Sequence, residues 1–145
     1  MKLTPAQWQQ ILELFDENER VIRAMPTAEP MPSAKFCRES PHRTLGHLAS
    51  CQVAWLPLLQ ALAKGDSARQ APAHPNDLYR KLRYKDALWA DLMKRFIEER
   101  AEWRKALNSV DLLLEVETGT VTYNAQTLTR RLVLHEANHL RQLQG

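Results

Sequence analysis

The last helical pattern in this chain has to bury two histidines. Leu128, Leu132, His135, His139 and Leu143 fall on one stripe of a helix expected to start near Ala125, because residues three and four apart share a helix face. Within the run His135-Glu136-Ala137-Asn138-His139 the two imidazoles stack one turn apart, where a single divalent metal fits between them. A polar group facing an interior without a partner costs free energy. The stripe therefore demands a metal, or a hydrogen-bonding partner, from elsewhere in the fold.

Three other helical patterns precede it. The first opens with Thr4 as N-cap, Pro5 at the first helical position and Gln7 closing a capping box. Its face runs Trp8, Ile11, Phe15, Ile22 and Met25, with Asn18 in the same stripe, and Pro26, Pro30 and Pro32 then enforce an extended loop. The second starts at Ser40-Pro41 and buries Leu45, Leu48, Cys51, Trp55, Leu58, Leu59 and Leu62 before a stop at Lys64-Gly65. Pro57 lies inside it and should bend it or remove a hydrogen bond near Val53. Residues 66–76 are polar and read as a loop. The third pattern carries Leu88, Leu92, Phe96, Trp103 and Leu107, begins between Asp77 and Lys85, and has an outer face dense in charge at i,i+4 spacing. From Leu114 to Tyr123 the period switches to alternation around Thr118-Gly119, the pattern of a short β-hairpin.

Four amphipathic helices in 145 residues predict an all-α fold, an up-down-up-down four-helix bundle in one domain spanning residues 1–145. The net charge is +3 and the basic residues are scattered along helical faces, which argues against nucleic-acid binding. Cys37 and Cys51 are the only cysteines and form no CxxC, so a reducing cytoplasm is expected. The first residues lack the apolar core of a signal peptide, and no apolar run approaches the ~18 residues of a membrane span.

Two histidines seldom hold a metal firmly, so a third ligand is sought. His47 precedes Cys51, Trp55, Leu58 and Leu62 by 4, 8, 11 and 15 residues, on the inner face of the second helix. In an up-down-up-down bundle the second and fourth helices run parallel. His47 and His135 lie about seven and about ten residues into them, a mismatch of roughly one turn at ~1.5 Å per residue. Three imidazoles leave at least one coordination position open, as in catalytic sites.

His47 within Thr44-Leu45-Gly46-His47-Leu48 and the terminal His135-Glu136-Ala137-Asn138-His139-Leu140 resemble the DinB/YfiT-like superfamily of four-helix metalloenzymes along the whole chain in helix order. The resemblance implies His47, His135 and His139 as ligands of a divalent transition metal, with Zn, Ni, Fe and Mn all open. It also implies thiol-dependent transferase or isomerase chemistry with a low-molecular-weight thiol and a small electrophile, and a homodimer. Metal-assisted hydrolysis competes with thiol transfer. The non-enzymatic alternative is a metal-stabilised or apo bundle that acts through dimerisation or protein interaction in a stress response.

His135-Glu136-x-x-His139 also matches the zincin protease motif, but that site needs a third ligand downstream and a substrate-binding strand. Glu136, about 100° around the helix from His135, is expected first as a surface residue. A hydrogen-bond acceptor behind the metal or a catalytic base are its other roles. His42 and His74 are expected at the surface. Cys51 and Trp55 flank the site as small core residue and core filler. Asn18 either lines the cavity or hydrogen-bonds a neighbouring helix. Trp8, Trp89 and Trp103 read as core or interface fillers. Arg130, Arg131 and Arg141 could bind an anionic substrate, with a solvated face as the default reading.

Overall fold

Thr4 starts the first helix through a reciprocal capping box. Its hydroxyl accepts from the Gln7 amide at 3.1 Å while Gln7 Oε1 accepts from the Thr4 amide at 2.9 Å. In the computed structural model, which describes residues 2–30 and 40–144, α1 runs Pro5–Arg23. Cys37 and Pro32 lie outside the described residues. Met25 falls beyond the end of α1 and is only half-buried.

Ser40 caps α2 (Pro41–Ala63) by accepting from the Arg43 amide at 3.3 Å. The helix ends at Gly65, whose φ of 78° suits a residue without a Cβ. There Gly65 N donates to Leu62 O at 3.0 Å and Asp66 N to Ala61 O at 2.9 Å, the paired bonds of a Schellman motif. Pro57 is accommodated within α2 on its exposed side. Every apolar residue expected on the inner face of α2 is buried.

The third pattern divides in two, and its start lies earlier than expected. His74 caps α3 (Pro75–Lys81), its Nδ1 accepting from Asn76 N at 3.1 Å with Pro75 at the first position, so the polar loop stops short of residue 76. Arg83 then adopts a left-handed φ of 58°, a 3₁₀ turn covers Tyr84–Asp86, and α4 begins afresh at Trp89 and ends at Ser109. The break has a packing cause. Five residues apart on one helix, Tyr79 and Tyr84 would point about 140° apart. With the break both are buried, their rings edge-on at 6.3 Å. Leu88 therefore leaves the core it was expected to join and is 60% exposed at the start of α4, while Trp89 is buried. His42, expected at the surface, is also buried. Its Nε2–H donates to Ala87 O at 2.7 Å and ties α2 to the segment before α4.

The alternating segment forms a small antiparallel hairpin, β1 (Val116–Glu117) with β2 (Thr122–Tyr123), paired Val116 to Tyr123 and Glu117 to Thr122. Asn124 then starts α5 (Ala125–Gln144) by a second reciprocal cap, Thr127 N to Asn124 Oδ1 at 2.8 Å and Asn124 N to Thr127 Oγ1 at 2.9 Å. The described residues thus hold five helices and one two-stranded hairpin. α2 packs against α3, α4 and α5, and α1 packs against α5. Among the described residues no helix is long and apolar enough to cross a membrane.

Gly46 sits where α2 meets both tyrosines, one residue before His47. A Cβ there would lie 2.7 Å from Tyr79 Cε2 and 3.5 Å from Tyr84 Cβ. Gly46→Ala gains up to about 1 kcal/mol of helix propensity but overpacks a buried ring at a cost of about 1–3 kcal/mol. The expected result is a net loss in a urea unfolding midpoint; an unchanged or raised midpoint would show that the close approach is not constraining.

Candidate metal centre

His47, on the second turn of α2, meets His135 and His139, one turn apart on α5. Their nearest ligand atoms all lie within 4.8 Å of one another, and all three side chains are half-buried. His47 Nε2 and His135 Nε2 are 3.0 Å apart, and the ring centroids are separated by 4.6–5.1 Å. The His47–His135 spacing suits metal coordination. With metal–nitrogen bonds of about 2.0–2.1 Å, neighbouring ligand atoms sit roughly 2.9–3.4 Å apart, whether the site is octahedral or tetrahedral. The donor set suits it equally, because imidazole binds as the neutral base. Burial holds His47 down to about 4, with further lowering from His139, His135 and Arg43. Burial likewise lowers His135, aided by His139 and Arg131. Both are lone-pair donors at neutral pH.

His47 and His135 open on one side to a cleft of about 520 Å³. Trp55, Cys51 and Arg131 line it beside His47 and His135, as do residues 72–74 of the loop and Pro75 and Asn76 at the start of α3. Trp55 meets His135 edge-on at 6.1 Å. Cys51 Sγ lies 3.7 Å from His47 Nε2, and burial, with the nearby charge of Glu136, pushes its thiol up to about 12. His74 is exposed, as expected, yet lies on the cleft wall. Its cap bond through Nδ1 leaves the ring proton of the neutral form on Nε2.

Behind the histidines the structure corrects the expectation for Glu136, which is fully buried and not at the surface. One carboxylate oxygen takes a charged hydrogen bond from Arg100 on α4, and the other accepts from Asn18 Nδ2 on α1 at 3.2 Å. Asn18 also donates to Val133 O at 2.9 Å, so it joins a neighbouring helix and does not reach the cleft wall. Arg100 is itself fully buried, its guanidinium 4.3 Å from the Phe15 ring centre and 4.9 Å from that of Phe96. Its Nε and Nη1 make no hydrogen bond, and the two aromatic faces beside the guanidinium offer the cation a partial substitute. The sequence reading did not single out Arg100 among the charged residues of the third pattern. The signal was present, since Arg100 follows Phe96 by four residues and precedes Trp103 by three, inside the apolar stripe.

Two outcomes are expected. Arg100→Met leaves a buried carboxylate without its cation and should lower unfolding free energy by about 3–5 kcal/mol, whereas the double variant Arg100→Met/Glu136→Gln should recover most of it. Equal losses in both would contradict the pairing. In the metal-free protein His47 binds fewer protons in the folded state than in the unfolded chain between the ordinary histidine value and about 4. The stability that neutral His47 contributes is therefore full above about pH 6.5 and declines as pH falls through that window, while Glu99, pushed up to about 7 by burial, acts in the opposite sense in parent and variant alike. Thermal unfolding across pH should show a shallower decline in His47→Gln; an identical decline would contradict the depressed histidine.

A family model described as the DinB superfamily matches residues 2–143. No curated protein and no solved structure matches the chain. The family match spans nearly the whole sequence and includes the elements that bring the three histidines together. The chain belongs to the DinB superfamily.

Proposed function

We propose that this chain is a divalent-metal-dependent enzyme, with the metal on His47, His135 and His139 and thiol transfer to a small electrophile as its reaction. The carrying observation is the convergence of three half-buried imidazoles, two of which, His47 and His135, line an open cleft. A metal bound there would supply acidification of a coordinated thiol or water and polarisation of an electrophile. Three histidine ligands leave room for that exogenous group, unlike a site closed by a fourth side chain.

The surrounding residues favour thiol transfer over hydrolysis. Attack by water is helped by a carboxylate or histidine base beside the reacting atom. The nearest carboxylate, Glu136, is occupied on both oxygens by Arg100 and Asn18 and lies out of solvent. A low-molecular-weight thiol brings its own nucleophile and asks less of the chain. Trp55 lines the cleft, together with residues 72–76. The same reading takes the chain as one domain, its four long helices as an up-down-up-down bundle, working as a homodimer in the cytoplasm.

The test is elemental analysis of protein purified without a histidine tag, beside single alanine variants of the three histidines. About one transition metal per chain is expected in the parent, strongly reduced in His135→Ala and His139→Ala. His47→Ala should weaken binding with helical circular dichroism intact. Full retention of metal in the variants, or no uptake by the parent on titration, would move the weight to a non-catalytic bundle.

A further inference from the structure

Arg131 stands on the same stripe of α5 as the histidines, four residues before His135 and eight before His139. One helical turn, roughly 6 Å over four residues, separates its backbone from that of His135. Its guanidinium is held in place from two sides. It lies over the Trp55 ring at 5.0 Å from the centroid, and Nη1 donates to the Tyr123 hydroxyl at 2.5 Å. Tyr123 reaches it because the hairpin delivers that residue directly into the start of α5. Among the described residues, no carboxylate forms an ion pair with Arg131, unlike Arg95, which pairs with Glu99, and Arg104, which pairs with Asp16.

The charge around the cleft is one-sided. Its lining residues are His47, His135, His74, Cys51, Trp55 and Arg131 with neutral Pro, Ala and Asn, and no Asp or Glu. Glu136, the nearest acid, is already matched by Arg100. A positioned guanidinium with free N–H groups, in a cleft without acids, is built for an oxyanion. Its planar fork matches a carboxylate best. The volume, about 520 Å³, is that of a small-metabolite site.

We propose that Arg131, braced by Trp55 and Tyr123, is the specificity-determining residue of the cleft and binds the carboxylate of a small substrate whose reacting end lies about one helical turn away, at the histidines. This rests on the site reading above for the position of the reacting end, but the carboxylate subsite itself needs only Arg131 and its braces. Arg130, the neighbouring arginine, instead lines a separate groove between α1 and α5 with Lys2, Gln7 and Leu134. It therefore serves as a charge-matched control.

The test titrates succinate, with succinamide as its uncharged counterpart, into wild type, Arg131→Gln, Arg131→Lys and Arg130→Gln, each both metal-free and zinc-loaded. Binding is followed by calorimetry and by the indole N–H resonance of Trp55, and zinc stoichiometry is measured in parallel. Wild type and Arg130→Gln should bind succinate saturably with a shift at Trp55, and succinamide should not bind. Arg131→Gln should weaken succinate by roughly 10- to 100-fold, the order of one charge-assisted hydrogen bond, with Arg131→Lys in between and zinc uptake unchanged. Succinate binding that is equal in Arg131→Gln and wild type, or absent from wild type in both metal states, would overturn the proposal. Failure of zinc uptake with Arg131-dependent succinate binding intact would instead count against the metal reading alone.

Discussion

A single buried carboxylate holds three helices in register. Glu136 has no exposure to solvent, and its two oxygens are matched from different directions, by Arg100 of α4 and by Asn18 of α1. An ionised group in such a place is tolerated only when both oxygens are satisfied, and removing either partner leaves an uncompensated charge or dipole. Any slip of α5 by one turn, about 5.4 Å, would strand it. Because His135 and His139 ride on the same helix, one residue before and three after Glu136, whatever fixes that carboxylate fixes the imidazoles too. The polar network behind and the histidine cluster in front are two faces of one helical turn.

That arrangement divides chemical labour. The carboxylate that would ordinarily be suspected as a base in a His-Glu-x-x-His sequence is consumed by structure, and the face toward the cleft is left with neutral imidazoles, a protonated thiol and a guanidinium. Such a face attracts cations only through lone pairs and attracts anions through Arg131. Gly46 contributes by letting Tyr79 of α3 approach α2 one residue away from His47, and the start of α3 with the loop before it lines the cleft.

Much of this was legible in the sequence, and the parts that were not have a common cause. Thr4, Ser40, Lys64-Gly65 and Ala125 marked helix boundaries because capping is a local interaction, decided by residues within one turn. The convergence of His47 with His135 and His139 was legible because each stood on an apolar stripe, where burial demands a partner. Glu136 and His42 were misplaced because their partners, Arg100 and Ala87, are distant in sequence, and a charge or ring with a long-range partner looks local and solvated until that partner is known. The break between α3 and α4 was hidden for the same reason: it satisfies Tyr79 and Tyr84 against Gly46, a contact between helices and not within one. Asn18 and Arg100, polar residues at stripe positions on α1 and α4, and Glu136 beside the histidine stripe of α5 form a pattern that was not read as a whole. Read together they signal one buried network; read singly each resembles an exception.

The most direct measurement is X-ray absorption at the metal edge of the zinc-loaded protein, since it reads the ligand set itself. Coordination by His47, His135 and His139 predicts three imidazole nitrogens at roughly 2.0–2.1 Å with one or more further light scatterers from solvent. A sulfur scatterer near 2.3 Å in protein free of added thiol would bring Cys51 into the first shell. That result, or fewer than three imidazoles, would contradict an open three-histidine centre.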